Sequence, residues 1–132
     1  MKVQARIPVK AMTTVLIADD EPSMRLLVHT TIESEHYKVV EAGDGNEAWA
    51  MILEHRPALV LLDVQMPGRN GLDILTSIRS DPALSATRVI LLTAKALTSD
   101  RATGMAAGAD SYLTKPFSPL DLLTRVEEAL RL

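Results

Sequence analysis

The sequence predicts an α/β protein with a doubly wound parallel sheet of five strands and five helices, (βα)5. Short apolar runs alternate with segments whose apolar residues recur at helical spacing. The runs are almost continuously apolar, which is typical of strands covered on both faces, and right-handed crossovers then wind the chain over both sides of the sheet. The strands are predicted at residues 14–18, 37–40, 58–62, 88–92 and 111–114.

The first two predicted helices follow the first two strands. Pro22 suits a first helical position because its missing N–H group needs no partner there. Asp44 and Glu47, three residues apart, form a capping-box pattern ahead of the second helix. Apolar residues continue both helices at helical spacing, at Met24, Leu27 and Val28 in the first and at Ala48, Met51 and Ile52 in the second.

The other three helices also have recognisable ends. Asn70 is the predicted N-cap of the third helix. The fourth helix is predicted over 99–107 and ends at Gly108. Ser118 and Pro119 occupy the cap and the first position of the last helix.

Composition narrows the class of protein. The chain has 132 residues, enough for one domain, and its 47% hydrophobic and 3% aromatic content predicts an aliphatic core. Cysteine is absent, which excludes disulfides and thiol chemistry. No apolar stretch approaches the ~20 residues of a membrane span, and no apolar segment typical of a secretory signal follows the basic start.

The N-terminal segment and the rest of the chain have opposite net charges. Residues 1–13, predicted to be an extension or linker, contain three basic residues and no acid. Residues 14–132, the predicted domain, contain 11 basic and 17 acidic residues, a net charge of −6. A surface of that sign disfavours direct nucleic-acid binding. It suits a site for a divalent cation, but the charge by itself is explained more readily by the solubility of a small domain.

Five polar residues end the apolar runs: Asp19, Asp20, Asp63, Thr93 and Lys115. Ligands of parallel α/β sheets bind beyond the carboxyl ends of the strands. Three carboxylates, a hydroxyl and an ammonium group should therefore converge at one edge of the sheet. This set of groups can hold Mg²⁺ and a phosphoryl group.

Residues 14–132 resemble the response-regulator receiver domain, the family of the chemotaxis regulator CheY. The pieces that carry the resemblance are Asp19-Asp20, Asp63 with Met66-Pro67-Gly68 and Gly71, Thr93-Ala94, and Lys115-Pro116-Phe117. The resemblance implies a flavodoxin-like, CheY-like fold with strand order 2-1-3-4-5. It also suggests a cis Lys115–Pro116 peptide, which an X-Pro bond allows at low cost.

The resemblance implies a Mg²⁺ site. Asp20, Asp63 and the backbone carbonyl of Gln65 would bind the metal directly, and Asp19 would act chiefly through a metal-bound water. Mg²⁺ would reduce the repulsion between the nucleophilic carboxylate and the incoming phosphoryl group.

The same resemblance assigns the phosphoryl chemistry. Asp63 would be the nucleophile and the phosphorylation site, and Lys115 and the Thr93 hydroxyl would bind phosphoryl oxygens. Thr93 and Tyr112 would form the switch. The helix over 99–107 contains few large apolar residues, so we expect it to shift at low cost.

The implied function is that of a phosphorylation-dependent signalling module in a two-component system. The donor would be a sensor histidine kinase or a histidine phosphotransfer protein. The output partner, of unknown identity, would bind the face made by the fourth helix, the fifth strand and the fifth helix. The domain would catalyse only its own phosphorylation and dephosphorylation, in the cytoplasm and away from membranes. It would be a monomer or a weak phosphorylation-dependent dimer, since Ser111 stands where many relatives have a second acid.

Two alternatives remain open on the residues alone. An aspartyl-phosphate hydrolase of the haloacid dehalogenase type would have an acid two residues after the nucleophile, where this chain has Gln65. A flavodoxin-like FMN carrier would have a phosphate loop rich in Ser, Thr and Gly after the first strand, where this chain has Asp19-Asp20-Glu21. Catalytic turnover would identify the hydrolase, and a yellow colour would identify the FMN carrier.

Histidine, tryptophan and methionine residues are not predicted to form a further site. The histidines, at His29, His36 and His55, have no metal-binding spacing. Trp49 is expected to be partly exposed packing, and the methionines Met51, Met66 and Met105 are expected to fill the core or its margin.

Overall fold

The computed structural model describes residues 12–94 and 98–131. Most of the predicted N-terminal extension, residues 1–11, therefore lies outside the described residues. Within these ranges the strands are β1 (Thr13–Ala18), β2 (Tyr37–Ala42), β3 (Leu59–Asp63), β4 (Arg88–Ala94) and β5 (Ser111–Lys115). The α-helices are α1 (Pro22–Ile32), α2 (Gly45–His55), α3 (Gly71–Ser80), α4 (Thr98–Ala106) and α5 (Pro119–Leu130), and a 3-10 turn at Pro82–Leu84 follows α3.

All strand pairs are parallel, and the strand order is β2-β1-β3-β4-β5. The predicted fold class and strand order are confirmed. The register pairs Asp63 with Leu92 and Thr93 with Thr114, which places the polar strand ends at one edge of the sheet.

The sheet is covered on both faces by aliphatic side chains. On one face, strand residues such as Val15 and Leu61 pack with Val28 of α1 and Val126 of α5. The other face packs against α2 and α3, whose buried residues are Ala48, Ile52, Ile74, Leu75 and Ile78. Burial on both faces explains why the strands are almost continuously apolar.

The predicted starts of α2, α3 and α5 are confirmed. The side chains of Asp44, Asn70 and Ser118 each accept a hydrogen bond from a backbone N–H group three residues later. At α5 the bond is reciprocal, because Asp121 also accepts from the backbone of Ser118. None of the helices in the described ranges has the length and apolar character needed to cross a bilayer.

Some predicted boundaries and one burial assignment were wrong. β1 begins one residue earlier, at Thr13, and β3 begins one residue later, at Leu59. The ends of β3, β4 and β5 include Asp63, Thr93 and Lys115, because ladder hydrogen bonds extend beyond the apolar runs. The fourth helix spans Thr98–Ala106 rather than 99–107. Met105 is 43% exposed and does not fill the core, because it lies on the solvent side of α4.

The loop between β3 and α3 is fitted closely against the start of α2. The Gly45 N–H group donates to the carbonyl of Pro67 at 3.0 Å. A Cβ atom on Gly45 would lie 1.7 Å from the Arg69 carbonyl oxygen, a distance that no side chain can occupy. Gly45 therefore allows α2 to fix the loop that contains Gln65.

Candidate functional site

Three carboxylates meet at the carboxyl edge of the sheet. Asp19 and Asp20 follow β1, and Asp63 ends β3, the strand hydrogen-bonded to β1. Asp19 is fully buried, Asp63 is 6% exposed and Asp20 is exposed. One oxygen from each carboxylate lies within 4.8 Å of the others. The acids therefore form one cluster that opens to solvent at Asp20.

Lys115, at the end of β5, brings a positive charge to the cluster. Its Nζ atom lies 2.7 Å from Oδ2 of Asp19, 3.5 Å from Oδ2 of Asp63 and 3.4 Å from Oε1 of Glu21. The peptide that follows it, Lys115–Pro116, is cis, as the sequence suggested. Lys115 is thus paired first with Asp19 and lies within reach of Asp63.

The surroundings of Asp63 oppose its ionisation. Burial, followed by the nearby charge of Asp19, raises its pKa from 3.8 to about 7, although Lys115 and the N–H group of Gln65 act in the opposite direction. Burial alone would lower the pKa of Lys115, but its bond to Asp19 and the charge of Asp63 outweigh burial and raise this pKa above its ordinary value. The negative charge of the cluster is therefore incompletely balanced.

Thr93 lies beside the cluster on β4. It is fully buried, and its Oγ1 atom has no hydrogen-bond partner among the described residues. Tyr112 pairs with Leu91, two residues before Thr93, so the two predicted switch residues lie on one face of neighbouring strands. The half-buried ring of Tyr112 lies 4.8 Å from the guanidinium carbon of Arg101 on α4.

A cleft of about 320 Å³ opens over the cluster. Its lining residues are Asp20, Glu21, Asp63, Val64, Gln65, Ala94 and Lys115. Mg²⁺ prefers oxygen ligands at about 2.1 Å, so opposite ligands of one ion stand roughly 4 Å apart. The 4.8 Å limit between the carboxylate oxygens is close to that span, so the three acids fit a magnesium ion after small side-chain movements.

All the predicted site residues except Tyr112 lie at this edge of the sheet, and Tyr112 lies further down β5. Sequence reasoning missed Glu21, Arg25 and Arg101. Glu21 contacts Lys115, and Arg25 donates to the Asp19 carbonyl at 2.8 Å. Glu21 follows the two acids directly, which was an available signal, but the two arginines occupy ordinary helical positions.

The histidines do not form a metal site. His29 bonds Glu41 and Glu33, whereas His36 and His55 each approach the preceding glutamate in the chain. Trp49 is half-buried beneath the guanidinium group of Arg69, 5.2 Å from ring centre to Cζ, as expected for partly exposed packing.

Comparison with known proteins identifies relatives of the whole domain. Residues 15–127 match the family model described as the response regulator receiver domain. The chain is 42% identical over 119 residues to the transcriptional regulatory protein ResD of Bacillus subtilis, covering 90% of this chain and 48% of ResD. It is 39% identical over 117 residues to the DNA-binding response regulator MtrA of Mycolicibacterium smegmatis, covering 89% and 50%.

Solved structures agree with this match. The chemotaxis response regulator CheY4 of Vibrio cholerae aligns with a TM-score of 0.84 and 32% identity, covering 91% of this chain and 100% of CheY4. The chain spans about half the length of the curated relatives ResD and MtrA, so the comparison concerns only that half of each relative.

Proposed function

The chain belongs to the response regulator receiver domain family of two-component systems, and on this premise we propose that it accepts a phosphoryl group on Asp63. The reaction requires Mg²⁺, and the phosphorylated domain changes its affinity for a downstream partner. The receiver domain is proposed to occupy residues 14–132 together with Thr13, the first residue of β1, and the residues before Thr13 are proposed to be an extension or linker.

The juxtaposition of Asp63 with Lys115 and two further acids in an open cleft carries the proposal. The Asp63 Oδ2 atom lies 3.5 Å from Nζ of Lys115, and its Oδ1 atom accepts the Gln65 N–H group at 3.2 Å. Asp63 is nearly buried, yet it lines the cleft. A carboxylate held in this way can attack a phosphorus atom that enters the cleft from solvent.

Asp20, Asp63 and the backbone carbonyl of Gln65 would hold the metal. The exposed position of Asp20 and the place of Gln65 in the lining of the cleft support this assignment. Asp19 is already paired with Lys115, which supports an indirect role through a metal-bound water. When bound, Mg²⁺ supplies positive charge that offsets the repulsion between the carboxylates and the phosphoryl oxygens.

The transfer is a displacement at phosphorus. An Asp63 oxygen forms a bond to phosphorus while the bond between phosphorus and the donor breaks. The leaving group, a donor imidazole or an acetate ion, departs with the bonding electrons. Lys115 and Thr93 then bind phosphoryl oxygens. The Thr93 hydroxyl supports this role because it is buried without a partner in the described structure.

The proposed donors are a sensor histidine kinase or a histidine phosphotransfer protein. The proposed output surface is α4, β5 and α5, acting on a protein partner. ResD is described as a transcriptional regulatory protein and MtrA as a DNA-binding response regulator. DNA binding by a further domain would suit a longer form of this protein, whereas the net charge of −6 over residues 14–132 disfavours direct binding by the receiver.

Acetyl phosphate tests the proposal. In the presence of Mg²⁺, the parent protein should gain one phosphoryl group, seen by intact-mass measurement and lost in base, as an acyl phosphate is. Asp63→Asn should not be labelled because an amide is a poor nucleophile. Asp73→Asn, which removes an exposed acid of α3, is the matched control and should be labelled normally. Labelling of Asp63→Asn at the parent level would contradict the proposal, and steady release of phosphate at enzymatic rates would favour a hydrolase.

A further inference from the structure

Arg25, on α1, connects the loop of the two acids to the far edge of the sheet. Its Nη1 atom donates to the backbone carbonyl of Asp19 at 2.8 Å, and its Nε atom donates to Oε1 of Glu41 at 3.2 Å. The Arg25 side chain is 21% exposed, so most of it is removed from water. One guanidinium group therefore bridges the β1–α1 loop and β2.

Glu41, the acceptor on β2, is itself held in place. Its Oε1 atom accepts from Arg25, and its Oε2 atom lies 2.8 Å from Nδ1 of His29. The other ring nitrogen of His29 contacts Glu33 one helical turn later. Both oxygens of Glu41 are thus engaged, which fixes the carboxylate that orients Arg25.

The bond from Arg25 acts on the peptide group that joins Asp19 to Asp20. The other polar atoms of Asp19 are also bound: its N–H group donates to Ala42, its Oδ1 atom accepts from the Glu21 N–H group at 2.9 Å, and its Oδ2 atom pairs with Lys115. The bond from the Glu21 N–H group closes a turn around the peptide that follows Asp19, but it does not engage the carbonyl oxygen of that peptide. Arg25 binds this oxygen, and the orientation of the peptide helps to set the direction in which the Asp20 side chain leaves the backbone.

We propose that Arg25, held by Glu41, is a positioning residue for the metal site, because it orients the peptide between Asp19 and Asp20. This inference rests on the proposed Mg²⁺ site. Groups that hold metal ligands from outside the coordination sphere commonly change metal affinity when they are removed. The charge of Arg25 is already balanced by Glu41 at 3.2 Å, so its effect is geometric rather than a contribution to the net charge of the site.

The geometric role distinguishes arginine from lysine. The guanidinium group is planar and has several donors in a fixed arrangement, so it can bind Glu41 and the Asp19 carbonyl at once. A lysine has the same charge on a single nitrogen atom, and it cannot reproduce both contacts with the same geometry. Arg25→Lys should therefore behave like a loss of the bridge although it preserves the charge.

The test measures Mg²⁺ affinity in the unphosphorylated full chain, from the rise in melting temperature with Mg²⁺ concentration. Arg25→Gln should weaken the apparent affinity roughly tenfold. Arg25→Lys should also weaken it. Adding Glu41→Gln to Arg25→Gln should have little further effect, since both substitutions break the same bridge.

Arg79→Gln is the matched control. Arg79 pairs with Asp110 at 3.0 Å and is 24% exposed, but it donates to the carbonyls of Thr87 and Gly108, which precede β4 and β5 at the opposite edge of the sheet. Its loss should lower the melting temperature without changing the Mg²⁺ affinity.

The outcomes separate the inference from the proposed function. If Mg²⁺ does not stabilise the parent protein, the proposed metal site itself is contradicted. A parent that responds to Mg²⁺, with Arg25→Gln binding equally well, would overturn only the role of Arg25. Parent-like affinity in Arg25→Lys would also overturn it, because charge alone would then suffice. If Arg25→Gln does not fold, Arg25→Lys and Glu41→Gln decide the question in the same way.

Discussion

Asp63 is a carboxyl group in surroundings that disfavour its charge. It is nearly buried beside Asp19 and Asp20, and the ammonium group of Lys115 pairs more closely with Asp19 than with Asp63. Burial and the charge of Asp19 raise the pKa of Asp63 to about 7. The charges of such a site repel one another, so we expect the stability of the protein and the proposed binding of a cation to be coupled at single residues.

The raised pKa predicts how stability depends on pH in metal-free buffer. Between pH 4 and pH 7 the folded state retains a proton on Asp63 that the unfolded chain, with a pKa near 3.8, has released. The free energy of unfolding should therefore fall as pH rises through this window. Asp63→Asn lacks this titration and should become more stable than the parent above pH 7, by on the order of 1–3 kcal/mol. Thermal melts at several pH values check this, and a constant difference between parent and variant across the window would contradict it.

Asp20 offers a second test at the residue scale. It is the exposed member of the acid cluster, so its substitution removes charge without opening a cavity. Asp20→Asn should raise the melting temperature without metal, because one source of repulsion is gone. It should also lose most of the stabilisation that Mg²⁺ gives the parent. The same Mg²⁺ titration in both proteins measures this, and an unchanged response would exclude Asp20 as a direct ligand.

At the scale of elements, close contacts at glycines set how α2 and α4 approach their neighbours. A Cβ atom on Gly45 would meet the Arg69 carbonyl oxygen at 1.7 Å, and one on Gly104 would meet Cδ1 of Leu91 at 2.0 Å. The first contact is with backbone and the second with the end of a side chain. We infer that α2 is rigidly fixed to the β3–α3 loop, whereas α4 can be displaced by the movement of one leucine.

Gly104→Ala tests the packing of α4. The added methyl group should push α4 away from β4 and cost about 1–3 kcal/mol of stability, even though alanine favours helices more than glycine does. The exposed neighbour Thr103 provides the control, since Thr103→Ala adds nothing between helix and sheet. Chemical denaturation of both variants measures the costs. A Gly104→Ala protein as stable as the parent would show that Leu91 gives way without cost.

At the scale of the whole molecule, the proposed switch links the cleft to α4, β5 and α5. A bound group shifts a conformation only by its difference in affinity between the two states. The phosphoryl group would provide that difference by bonding the Thr93 hydroxyl, which has no partner among the described residues and lies on the same face of the sheet as Tyr112. Arg101 packs over Tyr112 from α4, so movement of the Tyr112 ring would change a contact of that helix.

Hydrogen exchange with a beryllofluoride mimic of the phosphoryl group tests this path. Mg²⁺ and beryllofluoride should change amide protection across residues 98–130 in the parent. Thr93→Ala should still bind the mimic at Asp63 but change protection there much less. Thr76→Ala is the control, because its hydroxyl bonds only within α3. Equal changes in the parent and in Thr93→Ala would show that the switch does not depend on this hydroxyl.

Much of the fold follows from local pattern in the sequence. Buried strands between two helical layers must be apolar on both faces, so β3 and β4 were recognisable from their runs alone. Caps such as Asp44, Asn70 and Ser118 satisfy N–H groups only three residues away, so the starts of their helices were also predictable. The convergence of Asp19, Asp63 and Lys115 followed from one topological rule about parallel sheets.

Tertiary structure alone decided the contacts between segments distant in the chain. The pairing of Lys115 with Asp19 rather than first with Asp63 depends on distances between the ends of β1, β3 and β5, which are not consecutive in the chain. The bridge from Arg25 to Glu41 depends on β2 lying beside β1 and on the angle at which α1 crosses them. The exposure of Met105 depends on how α4 is rotated against the sheet. Sequence pattern encodes which residues are near in the chain and which face the core, but side-chain reach and helix orientation arise only when all the layers pack together.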